Sequence, residues 1–117
     1  MAPGDICLAS FPFGDAPGMK LRPVLLLTVP VGPIPEVVVA YISSVLPPTL
    51  LSTDVLVDPA KPEFQSTNLK TVSVLRLHKL ATIHARSIVR ALGKLDRGLR
   101  DSVTARLREF LSLDPPT

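Results

Sequence analysis

Short apolar runs separated by proline and glycine dominate the first two-thirds of the sequence. Ile6 and Leu8 alternate with Cys7 and Ala9, as expected for a strand over residues 5–10 with at least one buried face. Further runs, too short for core helices, predict strands at 23–29, 36–43, 53–58, 71–77 and 87–95. Eleven of the thirteen prolines precede residue 63, which argues against long helices in this part.

The last segment has a different period. From Leu95 to Leu111 a leucine or valine recurs at every fourth position, which predicts a helix over residues 96–113 with one apolar stripe and Phe110 beside it. Asp96 is the predicted N-cap. Short strands with tight turns and one terminal helix predict a mainly β fold with some α structure, a small bent barrel carrying the helix.

Length and composition predict one globular domain over residues 1–117. The chain is long enough to form one modest core. Hydrophobic residues make up 46% of the sequence and charged residues 20%, a composition that differs from that of disordered chains. The longest apolar run falls short of the roughly 20 residues of a membrane helix, and no secretory signal is apparent. Cys7 is the only cysteine, so an internal disulfide is excluded and a cytoplasmic location is expected.

Positive charge is concentrated late in the chain. Residues 1–69 hold three Lys/Arg against six Asp/Glu, whereas residues 70–117 hold ten against four. Such asymmetry is typical of a face that binds a polyanion, and equally typical of a solvated helix surface. Charge alone leaves both interpretations open.

The sequence contains no familiar catalytic or cofactor motif. It has no Gly-rich phosphate loop and no Cys/His metal spacing, so we expect neither a metal nor a cofactor. A small basic protein can still cleave RNA, because the ribose 2′-hydroxyl supplies the nucleophile. The protein then needs a fixed cation, a hydroxyl or amide donor, and a group that exchanges a proton.

Five segments in order resemble a known family. The segments are GDICLASFPFGD (4–15), KLRPVLLL (20–27), VVVAYISS (37–44), VSVLRLHKLATI (72–83) and ALGKL (91–95). Together with the amphipathic C-terminal helix, they resemble the MazF/PemK-type toxins of type II toxin–antitoxin pairs. The resemblance implies an SH3-like barrel, a homodimer and a cognate antitoxin. It also implies metal-independent cleavage of single-stranded RNA to a cyclic phosphate and a 5′-hydroxyl.

Three residues near the strand ends take their predicted roles from this resemblance. Arg22 matches the family's catalytic arginine, which implies that it binds the scissile phosphate; the alternative is a surface arginine at a strand end. Ser43 falls where the family usually has threonine and would donate a hydrogen bond to phosphate, and Ser44 beside it could bind RNA in the same way. The alternative for both serines is a turn that ends the strand.

Arg76 and His78 complete the predicted site. Arg76 matches an arginine that some family members use in catalysis, and His78 stands where those members have an acidic residue. His78 is therefore either the group that exchanges a proton or a polar edge-strand residue, and the sequence does not separate the two. Lys20 and Lys79 are predicted to bind RNA, with Lys70, Arg86, Arg90 and Lys94 as further candidates for the backbone groove.

Two other functions on the same barrel remain open. One is a toxin that poisons DNA gyrase without cleaving RNA, and the other is a degenerate relative that only binds RNA or an antitoxin. Base choice would depend on the loops at 14–20, 46–53 and 59–68, whose shape the sequence does not give.

Overall fold

The strands and helix predicted from the pattern are present. The computed structural model describes residues 1–11 and 20–113, apart from the side chain of Phe11. The strands are β1 (Asp5–Phe11), β2 (Lys20–Leu26), β3 (Glu36–Ser43), β4 (Asp54–Val57), β5 (Ser73–His84) and β6 (Ile88–Lys94), followed by the helix α1 (Arg97–Phe110). Within the described ranges, no helix is long and apolar enough to cross a membrane.

All six strands form one antiparallel sheet in the order β4-β5-β3-β2-β1-β6. The predicted mainly β fold with a terminal helix is therefore confirmed. The sheet is open, because β4 and β6 stand at opposite ends of the order and do not pair in the part of the chain described. A 3₁₀ helix at Pro62–Thr67, which follows β4 in the chain, contacts the other edge strand, β6.

The contact between the 3₁₀ helix and β6 is close. Asn68, just after the helix, adopts a left-handed conformation with φ 55°, and its Nδ2 donates a hydrogen bond to Leu92 O at 2.7 Å. Gly93 follows in β6, and a Cβ at that position would overlap the backbone of Ser66 and Thr67. The absence of a side chain at Gly93 therefore lets the two elements approach each other.

The sheet buries apolar residues on both faces. On one face, residues of β1 to β5 pack against Leu95, Leu99 and Val103, so the helix covers this core. The opposite face carries a second cluster that includes Cys7, Val24, Leu26 and Val39. Because side chains alternate along a strand, Arg22 shares its face with Val24 and Leu26, the face away from the helix.

The helix begins as predicted. Asp96 is extended, and its Oδ1 accepts a hydrogen bond from Leu99 N at 2.8 Å, which satisfies one of the free N–H groups of the first turn. Burial along the stripe falls toward the C-terminal end, where Phe110 and Leu111 are 43% and 46% exposed. The helix ends at Phe110, three residues before the predicted end at residue 113.

Two strands differ from the prediction. β2 begins at Lys20 rather than at Pro23, so Arg22 lies within the strand. β5 continues for seven residues beyond Leu77, to His84. A register shift opposite β3 explains the difference in β5: Ala40 pairs with Leu80 and Tyr41 with Arg76, so residues 77–79 have no partner in β3. Such a bulge interrupts the alternation by which a strand is recognised in a sequence.

Candidate functional site

The site is built where β2 and β3 separate. Their pairing ends at Val24 and Tyr41, immediately before Pro23, which has no N–H to donate to a neighbouring strand. Beyond this point β2 still pairs with β1, where Arg22 is opposite Ala9. Arg22 is therefore held by β1 while its other side is open to a cleft.

Arg22 lies between two adjoining grooves. The first groove has a volume of about 330 Å³, and its polar lining comprises Arg22, Ser44, Asn68, Lys70, Thr71, Ser73 and Arg90. The second has a volume of about 280 Å³ and is lined by Arg22, Tyr41, Ile42, Ser43, Val45, Arg76 and Lys79. No Asp or Glu in the described ranges lines either groove, so both are cationic.

The Arg22 guanidinium has no carboxylate partner in the described part of the chain. The ion pairs there involve only the carboxylates of Asp5 and Asp54. Arg22 is half-buried and lines both grooves. A guanidinium in this position is able to bind an anion with two parallel hydrogen bonds.

The two serines line different grooves. Ser43 lines the second groove and Ser44 the first. The Ser43 hydroxyl also donates a hydrogen bond to Val45 O at 3.2 Å and accepts one from Val45 N at 3.1 Å, which closes a turn at the strand end. Ser43 thus has the turn geometry of the alternative interpretation and is also placed beside the groove.

Arg76 lines the second groove from β5, where it is bound to a carboxylate. Its Nε donates to Asp54 Oδ1 at 2.9 Å and its Nη2 to Asp54 Oδ2 at 3.4 Å. The Asp54 side chain is fully buried, while that of Arg76 is 18% exposed. Arg76 is paired with Tyr41 on one side and with Asp54 on the other, so these side chains share the sheet face that carries Arg22.

Burial by itself raises the pKa of the Asp54 carboxyl. The opposing effects are larger: the hydrogen bond from Leu51 N, the hydrogen bond and charge of Arg76, and the charge of His78 together hold the pKa of Asp54 below its ordinary value. Asp54 is therefore an ionised carboxylate in the folded protein at neutral pH.

His78 lies behind Arg76 rather than in the grooves. It falls in the unpaired stretch of β5, is 24% exposed, and its Nδ1 lies 4.0 Å from Asp54 Oδ1. The same Nδ1 is 2.7 Å from the Thr53 hydroxyl. Since Nδ1 is engaged by Thr53, Nε2 is the ring nitrogen left to face another group.

The remaining predicted RNA-binding residues are partly brought together. Lys79 lines the second groove, and Lys70 and Arg90 line the first. Lys20 lies at the start of β2, two residues before Arg22, and does not line either groove. Residues 14–19 of the loop expected to influence base choice lie outside the described residues.

Sequence reasoning missed Thr53 and Asp54. Both were assigned to a strand, and nothing in their spacing relative to residues 76 and 78 indicates a contact. The one available signal is an acidic residue placed at the start of an otherwise apolar strand. A buried carboxylate in such a place requires a cationic partner.

Among the described residues, no group of three His, Cys, Asp or Glu side chains could hold a metal ion. The polar side chains that line the grooves supply cations, hydroxyl groups and the Asn68 amide, and neither groove is lined by a histidine from the described ranges.

Sequence and structure comparisons identify similar proteins. Residues 2–111 match the profile of the PemK-like, MazF-like toxins of type II toxin–antitoxin systems. The structure is similar to that of the Mycobacterium tuberculosis toxin MazF-mt6, with 26% identity, a TM-score of 0.70, and coverage of 95% of this chain and 99% of that one. No curated protein sequence matches significantly.

Two more distant structures share the fold. One is an endoribonuclease from a mycobacterial species in complex with its cognate antitoxin, with 16% identity, a TM-score of 0.67 and coverage of 99% of both chains. The other is a mycobacterial endoribonuclease with 15% identity, a TM-score of 0.66, and coverage of 99% of this chain and 95% of that one. Since the family profile spans nearly the whole sequence, the chain belongs to the PemK-like, MazF-like toxin family of type II toxin–antitoxin systems.

Proposed function

We propose that this protein is a metal-independent endoribonuclease that cleaves single-stranded RNA in the cytoplasm and thereby arrests translation and growth. The observation that carries the proposal is the position of Arg22 between two cationic grooves, without a carboxylate partner in the described chain. A strand of RNA is a polyanion that such grooves attract. The match to the toxin family and the similarity to a Mycobacterium tuberculosis toxin at 26% identity support a toxin function.

In the proposed reaction the substrate supplies its own nucleophile. The ribose 2′-oxygen attacks the adjacent phosphorus, the bond from phosphorus to the 5′-oxygen breaks, and the products are a cyclic phosphate and a 5′-hydroxyl. Arg22 and Arg76 stabilise the negative charge that builds on the phosphoryl oxygens. The Ser43 hydroxyl has a single donor, so it turns away from Val45 O to donate a hydrogen bond to one of these oxygens. His78 lies outside both grooves, so its proposed role requires the RNA to extend past Arg76 until it reaches the ring nitrogen Nε2, which Thr53 does not engage. There His78 accepts the proton of the 2′-hydroxyl or returns one to the 5′-oxygen.

The same proposal assigns binding roles to the neighbouring residues. Ser44 and Lys79 contact the RNA backbone on opposite sides of Arg22, one in each groove. Lys20 contributes charge at the start of β2. Binding through several phosphate contacts is expected to weaken steeply as salt concentration rises.

We also propose that the protein acts as one domain over residues 1–117, forms a homodimer, and is inhibited by a cognate antitoxin. A mycobacterial endoribonuclease of the same fold has been captured with its antitoxin. A small acidic protein encoded beside this one is the expected partner.

The direct test is the chemistry of the products. Purified protein is incubated with a single-stranded RNA of mixed sequence, with and without EDTA, and the new ends are identified. We expect discrete cuts that EDTA does not abolish, each leaving a cyclic phosphate and a 5′-hydroxyl, and none where the cleaved nucleotide carries a 2′-deoxyribose. Cleavage of that deoxy-substituted site would contradict 2′-hydroxyl attack.

Other outcomes would favour the alternatives. RNA binding without cutting after long incubation would identify a degenerate relative. DNA damage in expressing cells with intact messenger RNA would identify a gyrase poison. Mapping transcript ends after brief expression separates both from the nuclease and also gives the cleavage sequence.

A further inference from the structure

We propose that Asp54 is a positioning residue for Arg76, a role that rests on the proposed nuclease function. Its carboxylate binds the Nε edge of the Arg76 guanidinium and so presents the remaining N–H groups to the second groove. Asp54 does not contact RNA in this proposal; it acts through Arg76.

The first observation is that Asp54 is itself held rigidly. Its side chain is fully buried, and its Oδ2 accepts a hydrogen bond from Leu51 N at 2.9 Å as well as one from Arg76 Nη2. A buried carboxylate without such partners would be costly, so each partner restricts where the oxygens lie. Asp54 is thus a fixed acceptor at the start of β4.

The second observation is which edge of Arg76 is occupied. A guanidinium has five N–H donors in a planar fork. The hydrogen bonds to Asp54 use the one on Nε and one on Nη2. Both donors on Nη1 and one on Nη2 remain, and these form the end of the fork that binds two oxygens of a phosphate.

The third observation is where that free end lies. Arg76 lines the second groove together with Arg22 and Ser43, and Asp54 does not line it. Asp54 pairs with Arg76 across β4 and β5, and Arg76 pairs with Tyr41 across β5 and β3. The order of strands therefore places the carboxylate behind Arg76 as seen from Arg22.

The competing explanation is that the ion pair between Asp54 and Arg76 only stabilises the fold. Kinetic measurements distinguish a stabilising role from a positioning role. Asn at position 54 has a similar shape, but one of its two acceptor oxygens is replaced by an NH₂ group. It cannot accept from both Leu51 N and the Arg76 edge in the same way. The Arg76 guanidinium then loses its fixed orientation in the folded protein.

The experiment compares wild type, Asp54→Asn, Arg76→Ala and the double variant on one RNA, with Asp58→Asn as the matched control. Asp58 caps a turn by accepting from Ala60 N at 3.0 Å and lines neither groove. Folding is checked by circular dichroism, and kcat and KM are measured for the folded protein.

We expect kcat to fall about 100-fold in Arg76→Ala and about 10-fold or more in Asp54→Asn, with KM changed much less, because the contact strengthens in the transition state. The double variant should be no slower than Arg76→Ala alone, since Asp54 acts through that side chain. Asp58→Asn should cleave like wild type.

Equal kcat in wild type and folded Asp54→Asn would overturn the inference, as would losses that multiply in the double variant. If Asp54→Asn does not fold, Asp54→Glu decides, because it keeps the charge and moves the carboxylate by one methylene; an unchanged kcat there would also overturn the inference. Absence of cleavage by wild type would instead contradict the proposed function itself.

Discussion

Arg22 and Ser43 lie on neighbouring strands just past the Val24–Tyr41 pair at which the pairing of β2 with β3 ends. If the register continued, the two residues would be opposite each other, and both side chains line the second groove. The separation of the strands thus leaves a cation and a hydroxyl on the two sides of one cleft. This arrangement suits an anion that enters from solvent.

The hydroxyl of Ser43 is the first test of that arrangement. Ser43→Ala should cleave RNA about 10-fold more slowly, as expected for the loss of one hydrogen bond to a charged group. Ser43→Thr, which keeps the hydroxyl, should retain activity. Cleavage rates of the folded variants decide the matter: an alanine variant as fast as wild type would restrict Ser43 to closing the turn with Val45.

His78 is tested by removing its imidazole. His78→Gln keeps a polar side chain that cannot exchange a proton, so it should cut at least about 100-fold more slowly at neutral pH. His84→Gln is the matched control, since His84 is exposed at the far end of β5. A wild-type cleavage rate in folded His78→Gln would leave His78 as a polar partner of Thr53.

Asp54 should also make the free energy of unfolding depend on pH in the acid range. Its pKa is lower in the folded protein than in the unfolded chain, so the unfolded state binds more protons as pH falls. The stabilisation is complete above the ordinary carboxyl pKa of about 4 and is lost as pH falls through the lower, folded value.

Asp54→Asn should therefore be less stable than wild type at pH 7, by roughly 3 kcal/mol for a broken buried pair. The difference should narrow below about pH 4. Denaturant unfolding at several pH values measures it, and a difference that stays constant down to pH 2 would show that the carboxylate charge is not what stabilises this region.

The close contact between β6 and the 3₁₀ helix at Pro62–Thr67 predicts that a side chain at Gly93 is destabilising. Gly93→Ala should destabilise the protein by about 1–3 kcal/mol, because the added Cβ overlaps the backbone of Ser66 and Thr67. Gly98→Ala, in the first turn of α1, is the control: a Cβ there would meet only Asp96 Oδ1, at 3.9 Å, so the variant should be neutral or stabilised by up to about 1 kcal/mol. Denaturant unfolding of both variants compares them, and equal midpoints would refute the close approach.

Much of the fold was predictable because its elements follow simple periods. A four-residue repeat and one acidic residue predicted the helix and its Asp96 cap. An apolar run predicted the first half of β5. The second half of β5 was missed because the register shift at residues 77–79 breaks the alternation. A bulge depends on the partner strand, and the partner is not visible in the local sequence.

The site was predictable only in part. Arg22, Ser43, Arg76 and Lys79 all line the second groove, and their roles there stay predictions. Asp54 was missed because its contact with Arg76 joins strands 22 residues apart in sequence, and an acidic residue at a strand end has no signature of its own. His78 was predicted to belong to the site because of the family resemblance. Its contact with Thr53 is visible only in the structure.

The central claim is that the Arg22 guanidinium stabilises the transition state of RNA cleavage. The most direct test is single-turnover cleavage of one RNA by wild type, Arg22→Ala and Arg22→Lys, with Arg97→Ala, an exposed arginine of α1, as the matched control. We predict that Arg22→Ala folds normally and loses about 100-fold or more in rate, that Arg22→Lys recovers only part of it, and that Arg97→Ala cleaves like wild type. Cleavage by folded Arg22→Ala at the wild-type rate would contradict the claim.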